Sequence, residues 1–259
     1  MSVAPIAATG FERGQRGGIA RERKGDGIVI PLLLAFIWAG LLFGFIPRIY
    51  QHFSQHKPPY LWVTHIHNVA FLGWMILFTA QIALVRGKNF GLHRRLGRLA
   101  YYLAPVMIIA GSVTQFMVSR SRFGTARWDP PFLAVPLADL VNFGLLLAFA
   151  IRMRNNGAAH KRLMLLATSA IANVGFSRWW GPALMQWFGN GFVSQMAQDY
   201  LGSFVIIVAL LAYDIAVRGR PTRPVVIGGA LIVGIETLAI YLYLSPWWFH
   251  ITEGILHPK

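Results

Sequence analysis

The stretch "FGLHRRLGRLAYYLA" occupies residues 90–104 and places a histidine and two arginines at the start of an apolar run. A near copy, "GAAHKRLMLLATSA", occupies residues 157–170. Cations concentrated at one border of an apolar segment are typical of the cytoplasmic end of a transmembrane helix. The repeated stretch therefore predicts two membrane helices that begin at the same, inner face.

The composition of the whole chain indicates an integral membrane protein. Of its 259 residues, 56% are hydrophobic and only 13% are charged, whereas about 25% charged residues is usual in soluble domains. Its apolar blocks are long enough to cross a bilayer as helices, and backbone groups in lipid must bond within their own segment. We predict an all-α polytopic bundle of about seven transmembrane helices, at residues 28–47, 60–86, 94–118, 131–152, 159–187, 198–217 and 224–244.

The distribution of Lys and Arg predicts how the bundle is oriented. Seventeen of the 24 lie in segments on the side of the N-terminus and six in segments on the other side. Because cytoplasmic segments are enriched in cations, the N-terminus is predicted inside and the C-terminus outside, as in a multi-pass protein of a bacterial inner membrane. Residues 1–27 are predicted to be a basic, disordered cytoplasmic tail and residues 28–259 a single transmembrane domain. The segment "SPWWFHITEGILHPK" at 245–259 is predicted to rest on the outer surface.

Cysteine content and charge exclude several kinds of site. The chain has no cysteine, which excludes disulfides, thiolate metal sites and covalent C-x-x-C-H haem attachment. The net charge of +15 lies in short clusters between apolar blocks, so nucleic acid is not an expected partner. The expected partners of these clusters are the lipid bilayer and its anionic headgroups.

The doubled motif places His93 and His160 at the inner face, at similar depth, in what looks like a weak parallel repeat of a two-helix unit. Three interpretations remain open. The cations follow the positive-inside rule and bind lipid phosphates. Alternatively, the two helix N-termini form an anion or headgroup site. In the third interpretation His93 and His160 are the axial ligands of haem b, and Arg94 and Arg95 pair with its propionates.

One face of the helix that follows His93 carries small side chains. This face fits a flat macrocycle and equally fits close helix packing. Its residues are Gly97, Ala100, Ala104, Met107 and Gly111.

Ionisable residues inside the apolar blocks are further candidates, because charge in lipid is costly and usually functional. Four of them are predicted to lie in the outer half of the membrane and could line a polar cavity or a metal site: His67, Asp139, Arg178 and Asp199. The alternative is that Arg178 pairs with Asp139 or Asp199 and only fixes the bundle. Asp214 is predicted near the inner end of the sixth helix. Glu236 lies amid apolar residues, where it is protonated, pairs with a cation on another helix, or relays protons.

The chain resembles a family of uncharacterised bacterial multi-pass membrane proteins over about residues 60–250. The resemblance rests on "HNVAFLGW" at 67–74, "LHRRLG" at 92–97, "VPLADLVNFG" at 135–144, "HKRLMLLAT" at 160–168 and "YDIAVRGRPTRP" at 213–224. It implies that the positions of interest are His67, Trp74, His93, Asp139, His160, Arg178 and Asp214. The usual histidine before the proline of the last motif is replaced here by Arg223, which weakens any metal site at that turn. No activity comes with the resemblance.

A looser likeness is to the ascorbate-reducible transmembrane b-type cytochromes, in which histidines on four successive helices hold two haems. The inner pair, His93 and His160, matches that pattern. The outer pair does not, because Asp139 stands where a histidine would be expected opposite His67. The likeness therefore implies a single inner haem.

Three functions remain open from the sequence. The first is a haem b redox protein that exchanges electrons with a quinone at the inner face. The second is a proton-coupled transporter that uses Asp139, Arg178 and Glu236, and its helices could be interrupted at Pro105, Pro136 and Pro182. The third is a non-catalytic scaffold or assembly subunit for another membrane protein. A hydrolase with a His/Asp metal site is an outlier.

Overall fold

The computed structural model of the protein describes residues 26–257, which form an all-α bundle with no strand within that range. Long helices cross the bundle: α1 (Asp26–Ser54), α2 (Trp62–Arg86), α4 (Ala100–Ser121), α5 (Ala134–Arg152), α6 (Gly157–Phe188), α7 (Phe192–Arg218) and α8 (Arg223–Tyr243). Short helices are α3 (Phe90–Gly97), a 3-10 turn (Pro130–Leu133) and α9 (Pro246–Leu256). The predicted all-α polytopic bundle is confirmed.

Several predicted boundaries were wrong. The first helix extends well beyond residue 47, because Pro47 lies inside α1 without ending it. The third splits into α3 and α4, since the chain makes a turn at Arg98 and Leu99. Pro105 and Pro182 lie within continuous helices. The predicted tail falls on residues 1–25, outside the described residues, and on the first two residues of α1.

Six helices are long and apolar enough to cross a membrane: α1, α2, α3 with α4, the 3-10 turn with α5, α7 and α8. The protein is thus a multi-pass membrane protein. The remaining long helix, α6, has 32 residues. Its polar residues make it less apolar than the other long helices, and it is not among these six. It packs against α1, α5, α7 and α8, and Thr168, Ser169 and Asn173 are almost completely buried. Neighbouring helices surround these three polar side chains.

Helix α1 approaches α6 closely through a G-x-x-x-G pair. Gly40 and Gly44 share one face of α1 and lie against Gly175 and Phe176 of α6. A Cβ atom at Gly44 would overlap the carbonyl oxygen of Gly175, and one at Gly175 would lie 2.8 Å from the carbonyl oxygen of Gly40. Small residues at these positions let the two backbones touch, as is common where membrane helices associate.

We expect Gly44→Ala to lower the free energy of unfolding by about 1–3 kcal/mol, because an added methyl group in a packed interface forces the helices apart. Thermal unfolding in detergent measures the effect. Gly234→Ala is the matched control, since a Cβ atom there meets nothing within 4 Å. Equal stability of the two variants would contradict close α1–α6 packing.

Candidate functional site

Both copies of the doubled motif begin with an asparagine that caps the helix. The Asn89 side chain accepts a hydrogen bond from the backbone N–H of Leu92, and Asn156 does the same with Ala159. Asparagine is a favoured N-cap because its side chain satisfies one of the free N–H groups at the helix start. In each copy the histidine is the fourth residue after the cap. The repeat is therefore N-x-x-x-H-(R/K)-R-L, and the two caps, which the sequence analysis missed, place His93 and His160 equivalently.

The structure brings the rings of His93 and His160 together at the end of the bundle where α3 and α6 begin. Their centroids are 6.5 Å apart and their planes are perpendicular, at 89°. Both side chains are partly buried. The haem interpretation of the doubled motif requires such an approach of His93 to His160.

A hydrogen bond at Nδ1 orients each ring. His160 Nδ1 lies 2.8 Å from the carbonyl oxygen of Ala150, which can only accept, so this nitrogen carries the proton. His93 Nδ1 lies beside the amide of Gln81. With its nitrogen toward the ring, that amide donates to His93 Nδ1 and accepts at 3.0 Å from the N–H of Gly97. Nε2 is the unanchored nitrogen of both rings.

The amide of Gln81 decides what the pair can bind. In the orientation above, His93 carries its proton on Nε2, while Nε2 of His160 has a free lone pair, so the rings can donate and accept a proton. If the amide rotates, its oxygen accepts from His93 Nδ1–H and both Nε2 atoms become metal ligands. Two imidazoles on one metal ion have ring centres roughly 6 Å apart, given metal–nitrogen bonds of about 2 Å. The observed separation fits that arrangement.

A bare metal ion finds few ligands here. Within the described part of the chain, no group of three or more His, Asp or Glu side chains could hold a metal. The pair alone suffices only where another molecule fills the remaining coordination positions of the metal, as a porphyrin does for haem iron.

The cations of the two copies differ in environment. Arg94 and Arg95 are exposed and, with Gly91 and Arg98, line an open concavity of about 390 Å³ at the start of α3. The equivalent of Arg95 in the second copy, Arg162, is completely buried. Within residues 26–257, the guanidinium groups of the first copy are thus exposed, whereas that of Arg162 is enclosed in ion pairs.

Arg162 is the centre of an ion network that joins α1, α6 and α7 at the same end of the bundle. Its Nη2 lies 2.6 Å from Asp214 of α7 and 3.2 Å from Asp26 of α1, while Nη1 donates to the carbonyl oxygen of Ala158. Lys161 also pairs with Asp26, at 2.7 Å. Asp214 lies near the end of α7, as predicted, and forms a structural ion pair with Arg162.

The turn into α8 joins the same network. Thr222 donates its backbone N–H and its hydroxyl to Asp214 Oδ2, and Arg218 lies 3.5 Å from both Asp214 and Asp26. Asp26 was missed in the sequence because it lies in the predicted tail. A single acidic residue directly before the first apolar block was the available signal.

A second polar cluster lies deep within the bundle. Asn173 Nδ2 donates to Asp139 at 3.2 Å and to Glu236 at 2.9 Å. Ser203 donates from its hydroxyl to Glu236 at 2.9 Å, and its backbone N–H donates to Asn173 Oδ1 at 3.0 Å. Of the sequence candidates, Asp139 and Glu236 thus meet, and Asn173 and Ser203 are the partners that the sequence analysis missed.

The outer polar residues do not form the expected single cavity. Asp199 accepts hydrogen bonds from Ser177 and Gln195. Arg178 donates to its own helix, at the carbonyl oxygen of Val174, and its guanidinium lies 4.9 Å from the centre of the Phe45 ring. No described ion pair joins Arg178 to Asp139 or Asp199.

His67 points into the space between α2 and α4. A Cβ atom at Gly111 would lie 3.5 Å from its ring and 3.1 Å from Leu140. Gly97, on the same small-residue face, faces the side chain of Gln81, and Met107 is 1% exposed. This face therefore serves helix packing. On α2, the indole N–H of Trp74 donates to the hydroxyl of Thr168 of α6.

No protein-family model, curated protein or solved structure matches the chain.

We expect Arg162→Gln to lower the free energy of unfolding by about 3–5 kcal/mol, because it leaves Asp26 and Asp214 buried without their main cation. Thermal unfolding in detergent measures this loss. Arg154→Gln, at an exposed position, is the matched control. Adding Asp214→Asn to Arg162→Gln should restore part of the stability. Full additivity of the two substitutions would contradict a coupled network.

Proposed function

We propose that the protein is a redox protein of a bacterial inner membrane that holds one haem b at its cytoplasmic face between His93 and His160. The observation that carries this proposal is the pair of histidines, equivalently placed on two helices, with ring centres 6.5 Å apart. Haem iron needs only two axial protein ligands, and the pair supplies two. Bound haem b supplies one-electron transfer.

The surroundings of the pair support the same proposal. The carbonyl oxygen of Ala150 fixes His160 with Nε2 free. The amide of Gln81 lies beside Nδ1 of His93, where rotation of the amide would let its oxygen accept from Nδ1–H at the cost of its bond from the N–H of Gly97. A hydrogen bond to the far nitrogen orients a ligating imidazole and raises its basicity. Arg94 and Arg95 provide exposed guanidinium groups for the carboxylate substituents of the cofactor, which arginine pairs with bidentately.

A small lipid-soluble electron carrier is the matching partner. The pair lies at the inner end of the bundle, where a quinone diffusing in the bilayer can approach it. The excess of cations on this side of the bundle supports the cytoplasmic orientation.

The first test is the reduced-minus-oxidised absorbance spectrum of protein purified in detergent from haem-replete cells. We expect the spectrum of a two-histidine b-type haem, lost in His93→Ala and in His160→Ala. His65→Ala is the control, because His65 is exposed on α2 away from the pair. A colourless, folded wild-type protein would reject the proposal and leave a scaffold role in its place.

Gln81 provides a second test, by redox titration of the purified protein. We expect Gln81→Glu to lower the midpoint potential, because a carboxylate accepting from Nδ1–H makes His93 a stronger donor to ferric iron. Gln81→Leu should reduce cofactor affinity by about 10–100-fold. Gln55→Leu, at an exposed position on the opposite side, should change neither property. Unchanged potential and affinity in both Gln81 variants would contradict a role for this amide.

A further inference from the structure

The second polar cluster, formed by Asp139, Asn173, Ser203 and Glu236, contains two carboxyl groups. Within residues 26–257, no Lys or Arg balances their charge. Asp139 is 8% exposed and Glu236 is 0% exposed. Neither forms an ion pair with a Lys or Arg of residues 26–257. Both accept a hydrogen bond from the same nitrogen, Nδ2 of Asn173, so the two accepting oxygens are no further apart than the sum of those two bonds.

The other ionisable groups near the pair add no positive charge. Asp199 and Tyr200, both on α7, act electrostatically on the cluster. The Tyr200 hydroxyl donates to the carbonyl oxygen of Val135. Asp199 accepts hydrogen bonds from Ser177 and Gln195 instead. On α6 the nearest cation is Arg178, which is directed toward α1. At the outer rim, Tyr243 donates to Asp129.

Two ionised carboxylates in such a position strongly destabilise each other, and binding of one proton relieves that cost. Like charges at this range repel strongly where water is excluded, and each buried charge carries a desolvation cost of several kcal/mol. The neutral donors present, the amide of Asn173 and the hydroxyl of Ser203, do not cancel the charge. A positive species must therefore be bound by the pair.

Asn142 provides an independent indication that a small polar ligand is present. It is 0% exposed, and both its amide nitrogen and its amide oxygen have no hydrogen-bond partner. It lies three residues after Asp139, on the same face of α5, and side chains in a helix lean toward its N-terminus, which directs Asn142 toward Asp139. Buried amide groups are almost always satisfied, and water is the usual partner where protein groups are lacking.

We propose that Asp139 and Glu236 form a buried proton-binding site, and that Asn142 holds the water through which the proton exchanges. On loading, an O–H bond forms at a carboxylate oxygen as an O–H bond of a hydronium ion breaks, and a water molecule leaves. The amide of Asn173 then bridges one carboxylic acid and one carboxylate. This site is independent of the histidine pair.

Infrared spectroscopy of the purified protein in nanodiscs tests the proposal directly. At neutral pH we expect the C=O stretching band of a protonated carboxyl group, which shifts when H2O is replaced by D2O. The band should be lost or altered in Asp139→Asn and in Glu236→Gln. Asp129→Asn, an exposed rim residue, should leave it unchanged. Far-UV circular dichroism and thermal unfolding establish that each variant is folded.

The role of Asn142 has its own readout. Asn142→Leu removes both amide groups at similar volume, so we expect the deuterium shift to be incomplete over the time in which the wild type completes it. A folded wild-type protein that lacks the band overturns the proposal. So does a band that sodium or calcium ions abolish at constant pH, which would assign the site to a metal cation.

Discussion

The structure depends on one constraint, which is that the polar residues of α6 cannot face lipid. An unpaired polar group in the bilayer core costs several kcal/mol, and α6 carries such groups from its first turn to Asn173. Helices α1, α5, α7 and α8 therefore surround α6, and each meets it through a complementary feature. The glycines of α1 admit the backbone of α6, and the carboxyl groups of α5, α7 and α8 meet its polar side chains. The bundle is organised around the least apolar of its long helices.

The same constraint explains why the histidine pair is well placed. Arg162 lies two residues after His160, and its contacts with Asp26 and Asp214 hold the start of α6 against α1 and α7. The Asn156 cap sets the first turn of α6, and Asn89 does the same for α3. A cofactor ligand is most effective when surrounding contacts fix its orientation. The second copy of the motif gives both of its cations, Lys161 and Arg162, to the network. The first copy keeps Arg94 and Arg95 exposed at the surface.

Much of the architecture could be predicted from the sequence, because long apolar blocks and cation borders depend on local composition alone. The fold class and the approach of His93 to His160 followed from those patterns. The pairing of Asp139 with Glu236 did not, since no motif or spacing links the two residues, which lie on different helices, and only packing selects their partners. The alternative pairing of Arg178 with Asp139 or Asp199 is not among the described ion pairs, and its guanidinium instead donates to the carbonyl oxygen of Val174 and lies over the ring of Phe45. The polar residues of α6 lower its mean hydropathy below that of the other long helices. Its place in the bundle follows from its contacts with α1, α5, α7 and α8.

The central claim is that His93 and His160 share one haem iron. Electron paramagnetic resonance of the oxidised protein tests this most directly, because two strong imidazole ligands make ferric haem low-spin and one does not. The account predicts a low-spin ferric signal in the wild-type protein and a high-spin signal when either histidine is replaced by alanine. A high-spin signal in the wild type, or a folded protein that contains no iron, would contradict it.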